Sequence, residues 1–241
     1  MFCLRQRIFM EYTQEFAHNR SKVYGLLSHF YINPPDRKIL NLDLETSLKI
    51  FKISLNGIDE PFKEIEEGRK ILTNYISKKS ESFDEESLLS LLKDWTRLLR
   101  GVDIKGPLPP YESVYLTGRL QNKPAQEINR LFSKMGIKIP EQWHQPSDYI
   151  GVELDFMRLL CEMENEAFRG NDSHHLQEIL RIENSFLRNH LGLWVSDFCE
   201  NTKREAREDF FKGIASLTKG IINYDKILIP YLLERLFRSW S

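Results

Sequence analysis

The sequence predicts an all-α protein: about ten helices packed as a single-domain bundle around one core, with a proline-rich connector in the middle. Three observations predict it. Apolar residues recur at three- and four-residue spacing through most of the chain, the signature of helices with one buried stripe. No stretch alternates polar and apolar residues, as a half-buried strand does, over more than a few positions. Proline, glycine and Asx or Ser punctuators fall between the apolar runs, where helices start and stop.

The elements follow in order. Residues 11–31 carry Phe16, Val23, Tyr24, Leu27 and Phe30 at helical spacing, and Asn33-Pro34-Pro35 ends that run. Residues 39–53 repeat the pattern with Leu40, Leu44, Leu48 and Phe51 up to Asn56-Gly57. Residues 61–76 form the third helix, with Pro61 suited to a first turn, where a missing N–H costs nothing. Residues 77–86 are polar and read as a loop, with Asp84 placed to cap the stripe Leu88, Leu91, Leu92, Trp95, Leu98 and Leu99.

Gly101 ends that helix, and Pro107, Pro109 and Pro110 then forbid another, since each lacks an N–H and biases its predecessor to extended geometry. Helices are expected at 123–135, closed by Gly136 in a left-handed cap, and from Ser147 or Asp148 to Phe168. Further helices are expected over 174–190, 194–201, 205–222 and 225–237, with Pro230 shortening or kinking the last. Residues 1–10 read as a frayed leader and 11–241 as one domain with a hinge near 105–110.

Composition excludes several function classes. Lys plus Arg number 34 and Asp plus Glu 35, for a net charge of −1, so no global basic field suits nucleic acid. No apolar run approaches the roughly 20 residues that span a bilayer. Three cysteines, Cys3, Cys161 and Cys199, without a Cys-x-x-Cys pair fit a reducing compartment, and the expected location is the cytoplasm. No phosphate loop, dinucleotide fingerprint, Gly-x-Ser-x-Gly elbow or His-Glu-x-x-His occurs. No catalytic residue, metal ligand or cofactor is assigned.

The informative constellation is acidic. Asp148, Asp155 and Glu162 are spaced by seven, which returns to nearly one helix face, and Gly151 lies on that face too. Ile150, Leu154, Met157, Leu160 and Cys161 occupy the other side. One reading is a solvated face with Arg158 paired to Glu162. The other is a row of carboxylates that receives guanidinium groups through short, often bidentate bonds. Tyr111 and Tyr115, flanked by Pro109 and Pro110, offer rigid contact area of the kind found in peptide grooves.

The segment Pro-Pro-Tyr-Glu-Ser-Val-Tyr (109–115), followed by Pro-Ser-Asp-Tyr-Ile-Gly (146–151), resembles the twin-arginine redox-enzyme maturation chaperones of the TorD, DmsD and NarJ group. Asn-Arg-Ser-Lys-Val-Tyr-Gly-Leu-Leu (19–27), Asp-Trp-Thr-Arg-Leu-Leu (94–99) and Phe-Leu-Arg-Asn-His-Leu (186–191) with Trp194 and Phe198 extend the likeness in order. One departure is Tyr149, where the family usually has histidine.

The resemblance implies a TorD-like helical fold and a cytoplasmic, non-enzymatic chaperone of a molybdopterin-type redox enzyme. Such a chaperone binds the enzyme's twin-arginine signal peptide and holds the subunit until its cofactor is inserted. The implied signal-peptide residues are Trp95, Leu98, Pro110, Tyr111, Ser113, Tyr115, Asp148, Tyr149, Gly151, Asp155 and Glu162, with His190 and Trp194 structural or interfacial. Some members exchange halves, so a monomer or a domain-swapped homodimer is expected. Two rivals stand beside this reading: an adaptor for a folded subunit, and an all-α hydrolase using Asp148, Asp155 and Glu162 on Mg²⁺.

Overall fold

A computed structural model describes residues 14–37, 59–80, 84–101, 106–120, 123–138 and 145–237. The expected helix at 39–53 and the leader at 1–10 lie outside these residues. The described residues form nine helices and no strand: α1 (Gln14–Ile32), α2 (Asp59–Ser80), α3 (Glu85–Leu99), α4 (Glu112–Thr117), α5 (Lys123–Lys134), α6 (Ile150–Arg169), α7 (Ser173–Asn189), α8 (Leu191–Glu205) and α9 (Asp209–Phe237).

The punctuation acts largely as read. Asp84 caps α3, its carboxylate accepting the Ser87 N–H at 2.8 Å, and Asp172 caps α7 through the His175 N–H at 2.9 Å. Gly101, Gly118 and Gly136 take positive φ.

Four expectations need correction. Residues 77–80 continue α2 rather than opening a loop. The proline segment is extended only to Pro110, after which α4 forms a short helix. Ser147 and Asp148 do not cap α6, whose N-cap is Tyr149 without a side-chain bond. The two C-terminal helices are one, α9, with Pro230 in its interior. Asp225, the expected start of the last helix, lies inside α9, and its carboxylate accepts from Arg20 and Tyr24. The real break lies at 206–208, where Asp94 of α3 accepts the N–H groups of Arg207 and Glu208, each at 2.8 Å.

The core is built on two long pairs. α1 lies along α6 and α2 along α9, while α8 and α7 bridge them. The α2–α9 pair is close because Gly68 faces Gly213: a Cβ on Gly68 would stand 2.8 Å from the Gly213 carbonyl oxygen. Aromatic edges fill the middle, with Phe30 against Phe210 at 5.2 Å and Tyr31 against Phe198 at 5.5 Å.

At the centre stands Arg20, fully buried, donating to Glu164 at 2.7 Å, Glu183 at 2.8 Å and Asp225 at 2.8 Å. One side chain thereby joins α1, α6, α7 and α9. Burial alone would weaken Arg20's hold on its proton, but the facing carboxylates reverse this and keep it protonated. The same burial pushes Glu183 and Asp225 above the usual carboxylate range, and Arg20 only partly offsets it.

Candidate functional site

The two motif segments, about thirty-five residues apart in sequence, are stitched together in space. Tyr111 and Tyr149 form an antiparallel bridge. The Glu112 N–H donates to the Asp148 carbonyl at 2.9 Å, and the Ile150 N–H to the Pro110 carbonyl at 3.0 Å. Asp148 then uses its side chain on the partner segment: Oδ2 accepts the Ser113 N–H at 3.0 Å, inside the first turn of α4. The prolines hold that turn's entry extended, and the distant carboxylate satisfies a free N–H of the short helix. Ser147 ties the junction to α5 by donating to the Ala125 carbonyl at 2.8 Å.

Behind the bridge lies a buried acidic cluster. Glu112, Asp148 and Glu153 are 1%, 0% and 0% exposed, so all three carboxylates are out of bulk water. His190 Nδ1 stands 3.1 Å from Glu112 Oε2, and the Trp194 indole N–H donates to Glu153 Oε2 at 3.2 Å. Burial, and then the neighbouring Glu112 and Asp148 charges, push Glu153 well above the usual carboxylate range. Three buried oxygens at this junction lack any hydrogen-bond partner: Ser113 Oγ, Asp148 Oδ1 and Glu153 Oε1. Buried polar oxygens this deep are costly to leave unpaired.

An aromatic band borders the cluster. The Tyr111 hydroxyl donates to Gln145 at 2.6 Å, and its ring lies 5.4 Å from Tyr149. Tyr149 is fully buried and its hydroxyl donates to the Tyr31 carbonyl. Tyr115 lies 5.3 Å from Trp194, and burial pushes its hydroxyl up to about 12. Leu108, Leu116 and Leu120, in and beside α4, are exposed.

The structure thus brings Pro110, Tyr111, Ser113, Tyr115, Asp148, Tyr149, His190 and Trp194 into one neighbourhood. Gly151 sits at its edge, where Ser28 donates to its carbonyl at 2.8 Å and a Cβ would stand 2.5 Å from Ile32 Cγ1. The close approach that this glycine permits is by α1 of the same chain. Trp95 and Leu98 are core residues of α3, the indole N–H donating to the Phe30 carbonyl at 3.0 Å.

The expected carboxylate row does not exist as a face. Ile150 to Met157 are buried on every side, because α1, α7 and α8 surround this end of α6. Asp155 and Glu162 are both held by Arg158, at 3.1 and 2.8 Å, while Asp148 precedes the helix and serves α4. This separation removes the Mg²⁺ arrangement. Among the described residues, the group with metal-like spacing is Cys161, Glu164 and Glu183, and the Arg20 guanidinium already occupies its carboxylates.

Sequence reasoning missed Glu112, Glu153 and Arg20. Charged residues are seldom fully buried, and nothing in the spacing of these three marks them as exceptions. The available hint was Glu112 lying inside the proline–tyrosine motif.

Residues 58–200 match the family described as nitrate reductase delta subunit, and the chain belongs to that family. It is similar to chaperone protein TorD of Vibrio parahaemolyticus, at 27% identity over 226 residues, 93% of this chain and 99% of the relative. TorD of Vibrio vulnificus is 26% identical over 227 residues, 93% and 99% of the two chains. TorD of Photobacterium profundum is 33% identical over 128 residues, 52% and 56% of the two chains. These relatives are named as chaperones rather than enzymes, and a chaperone role is the class in which this chain falls. Among the described residues, no helix is long and apolar enough to cross a membrane.

Proposed function

We propose that this protein is a chaperone of a redox-enzyme subunit, binding its twin-arginine signal peptide and holding the subunit until its cofactor is in place. The observation that carries the reading is the set of unmet buried acceptors at the motif junction, Ser113 Oγ, Asp148 Oδ1 and Glu153 Oε1. A guanidinium presents five N–H donors in a rigid fork and suits paired carboxylate acceptors better than an ammonium does. The apolar stretch that follows the arginines in such a signal would lie over α4, against Leu108, Leu116 and Leu120, with Tyr111 and Tyr115 as rigid flanks. Family membership and the full-length chaperone relatives support the same class of partner. Because Asp148 is fully buried, entry of an arginine requires the Tyr111–Tyr149 bridge to part.

The test is calorimetric titration with twin-arginine leader peptides, each beside a Lys-Lys version. Binding that weakens about tenfold or more with Lys-Lys, and again with Asp148→Asn, is the expected result. Equal affinity for the two peptides, or no effect of Asp148→Asn in a folded variant, overturns the assignment of this junction.

A further inference from the structure

A second site lies on the other side of His190. α5 and α7 both meet α6, where the Phe132 ring is tilted against Phe156 at 4.9 Å and Phe156 meets Phe186 edge to face at 4.8 Å. Between α5 and α7 this leaves a cleft of about 400 Å³. Leu131, Ile182 and Phe186 supply its apolar lining. Arg130 and Lys134 stand on the α5 side, and Arg181 with Ser185 on the α7 side. All four are exposed.

The charge around the cleft is not neutralised. The one acid that lines it, Glu127, pairs instead with Lys123 at 3.4 Å. Glu178, nearly one turn before Arg181, lies 3.9 Å from both His174 and His175. Neither Arg130, Lys134 nor Arg181 forms an ion pair among the described residues, whereas Arg69, Arg158, Lys203 and Lys219 do.

We propose that this cleft docks an acidic peptide segment of the client protein that carries one large apolar side chain between carboxylates. In an extended peptide successive side chains point to opposite faces. An acidic–apolar–acidic run therefore turns its apolar residue onto Leu131, Ile182 and Phe186 and keeps the flanking carboxylates on the solvent side, where the long, exposed side chains of Arg130, Lys134 and Arg181 reach them. Residues four apart on a helix are neighbours about 6 Å apart along its axis, so Arg130 and Lys134 face adjacent carboxylates of such a run. The cleft ends at His190, whose other contact is Glu112 of the motif junction, so one client can occupy both places. This second grip does not depend on what the junction binds.

The experiment is fluorescence anisotropy with a fluorescein-labelled Gly-Asp-Glu-Phe-Glu-Asp-Gly peptide. A Phe-to-Ser version and a Lys-for-acid version serve as comparison peptides. The expected result is saturable binding of the acidic Phe peptide, weakened about tenfold or more by Arg181→Glu or by Arg130→Glu with Lys134→Glu. Lys22→Glu on α1, an exposed reversal away from both places, leaves it unchanged, which ties the binding to the cleft's own cations rather than to the protein's overall charge. The Ser and Lys peptides bind at least about tenfold more weakly, since both the apolar lining and the charge contribute. Absence of binding overturns the proposal. So does binding indifferent to the cleft reversals, or equal affinity for the Phe and Ser peptides, which would make the cleft a generic anion surface.

Discussion

Replacing Arg20 with methionine removes the one cation among three buried carboxylates while keeping an unbranched apolar stem in its place. The parent residue donates to Glu164, Glu183 and Asp225 between 2.7 and 2.8 Å, and all four side chains are fully buried. Breaking a buried pair by deleting one partner costs about 3–5 kcal/mol, because the charge left behind has neither water nor a counter-ion. With a urea dependence of about 3 kcal/mol per molar, the midpoint falls by about 1–1.7 M. The deficit has a pH signature. Glu183 and Asp225 are already held above their ordinary range in the folded state, so they bind protons more readily there than in the unfolded chain. Their contribution is fully present below the unfolded value of about 4 and is lost as pH rises through the folded value. Losing Arg20 raises those folded values further, so the gap between variant and parent widens as pH rises through the parent's folded values, a trend sampled at about pH 5 and pH 8. Urea unfolding followed by circular dichroism at both pH values measures it. Adding Asp225→Asn to the variant removes one of the stranded charges and recovers part of the loss. A deficit below about 1 kcal/mol, or one independent of pH, refutes the account of Arg20 as the central tie.

Three further outcomes are expected. Glu153→Gln keeps an acceptor for the Trp194 indole but removes a carboxyl held well above its usual range, so the parent loses stability as pH rises and the variant loses less; equal urea midpoint slopes between pH 5.5 and 8 would contradict this. Gly151→Ala places a Cβ 2.5 Å from Ile32 Cγ1 and should lower stability by about 1–3 kcal/mol, read from thermal melts; an unchanged melting temperature would show that α1 yields freely. Cys161 and Cys199 are fully buried, with thiols pushed upward by burial, so iodoacetamide should label neither in the native protein and both in urea; mass spectrometry of the peptides decides.

Sequence periodicity determined the helical class, the stripe of α3, the cap at Asp84, and the left-handed glycine at Gly136, because each depends on residues within one or two turns. The order of the motifs also pointed to Pro110, Tyr111, Asp148 and Tyr149 as one neighbourhood. What the sequence could not carry was the surroundings of each charge. Asp148, Asp155 and Glu162 look equivalent at seven-residue spacing, yet one is sealed beneath α4 and two share Arg158. Asp225 stood at an expected helix start and is the counter-charge of a residue 205 positions earlier. Glu112 and Glu153 carry no signal of their surroundings in spacing or capping and lie buried at the heart of the junction. Helix formation is a local equilibrium that spacing and capping express directly, whereas the state of a carboxylate depends on which distant elements remove its water and which donors they bring. Only the packing of α1, α4, α6, α7, α8 and α9 against one another decided that.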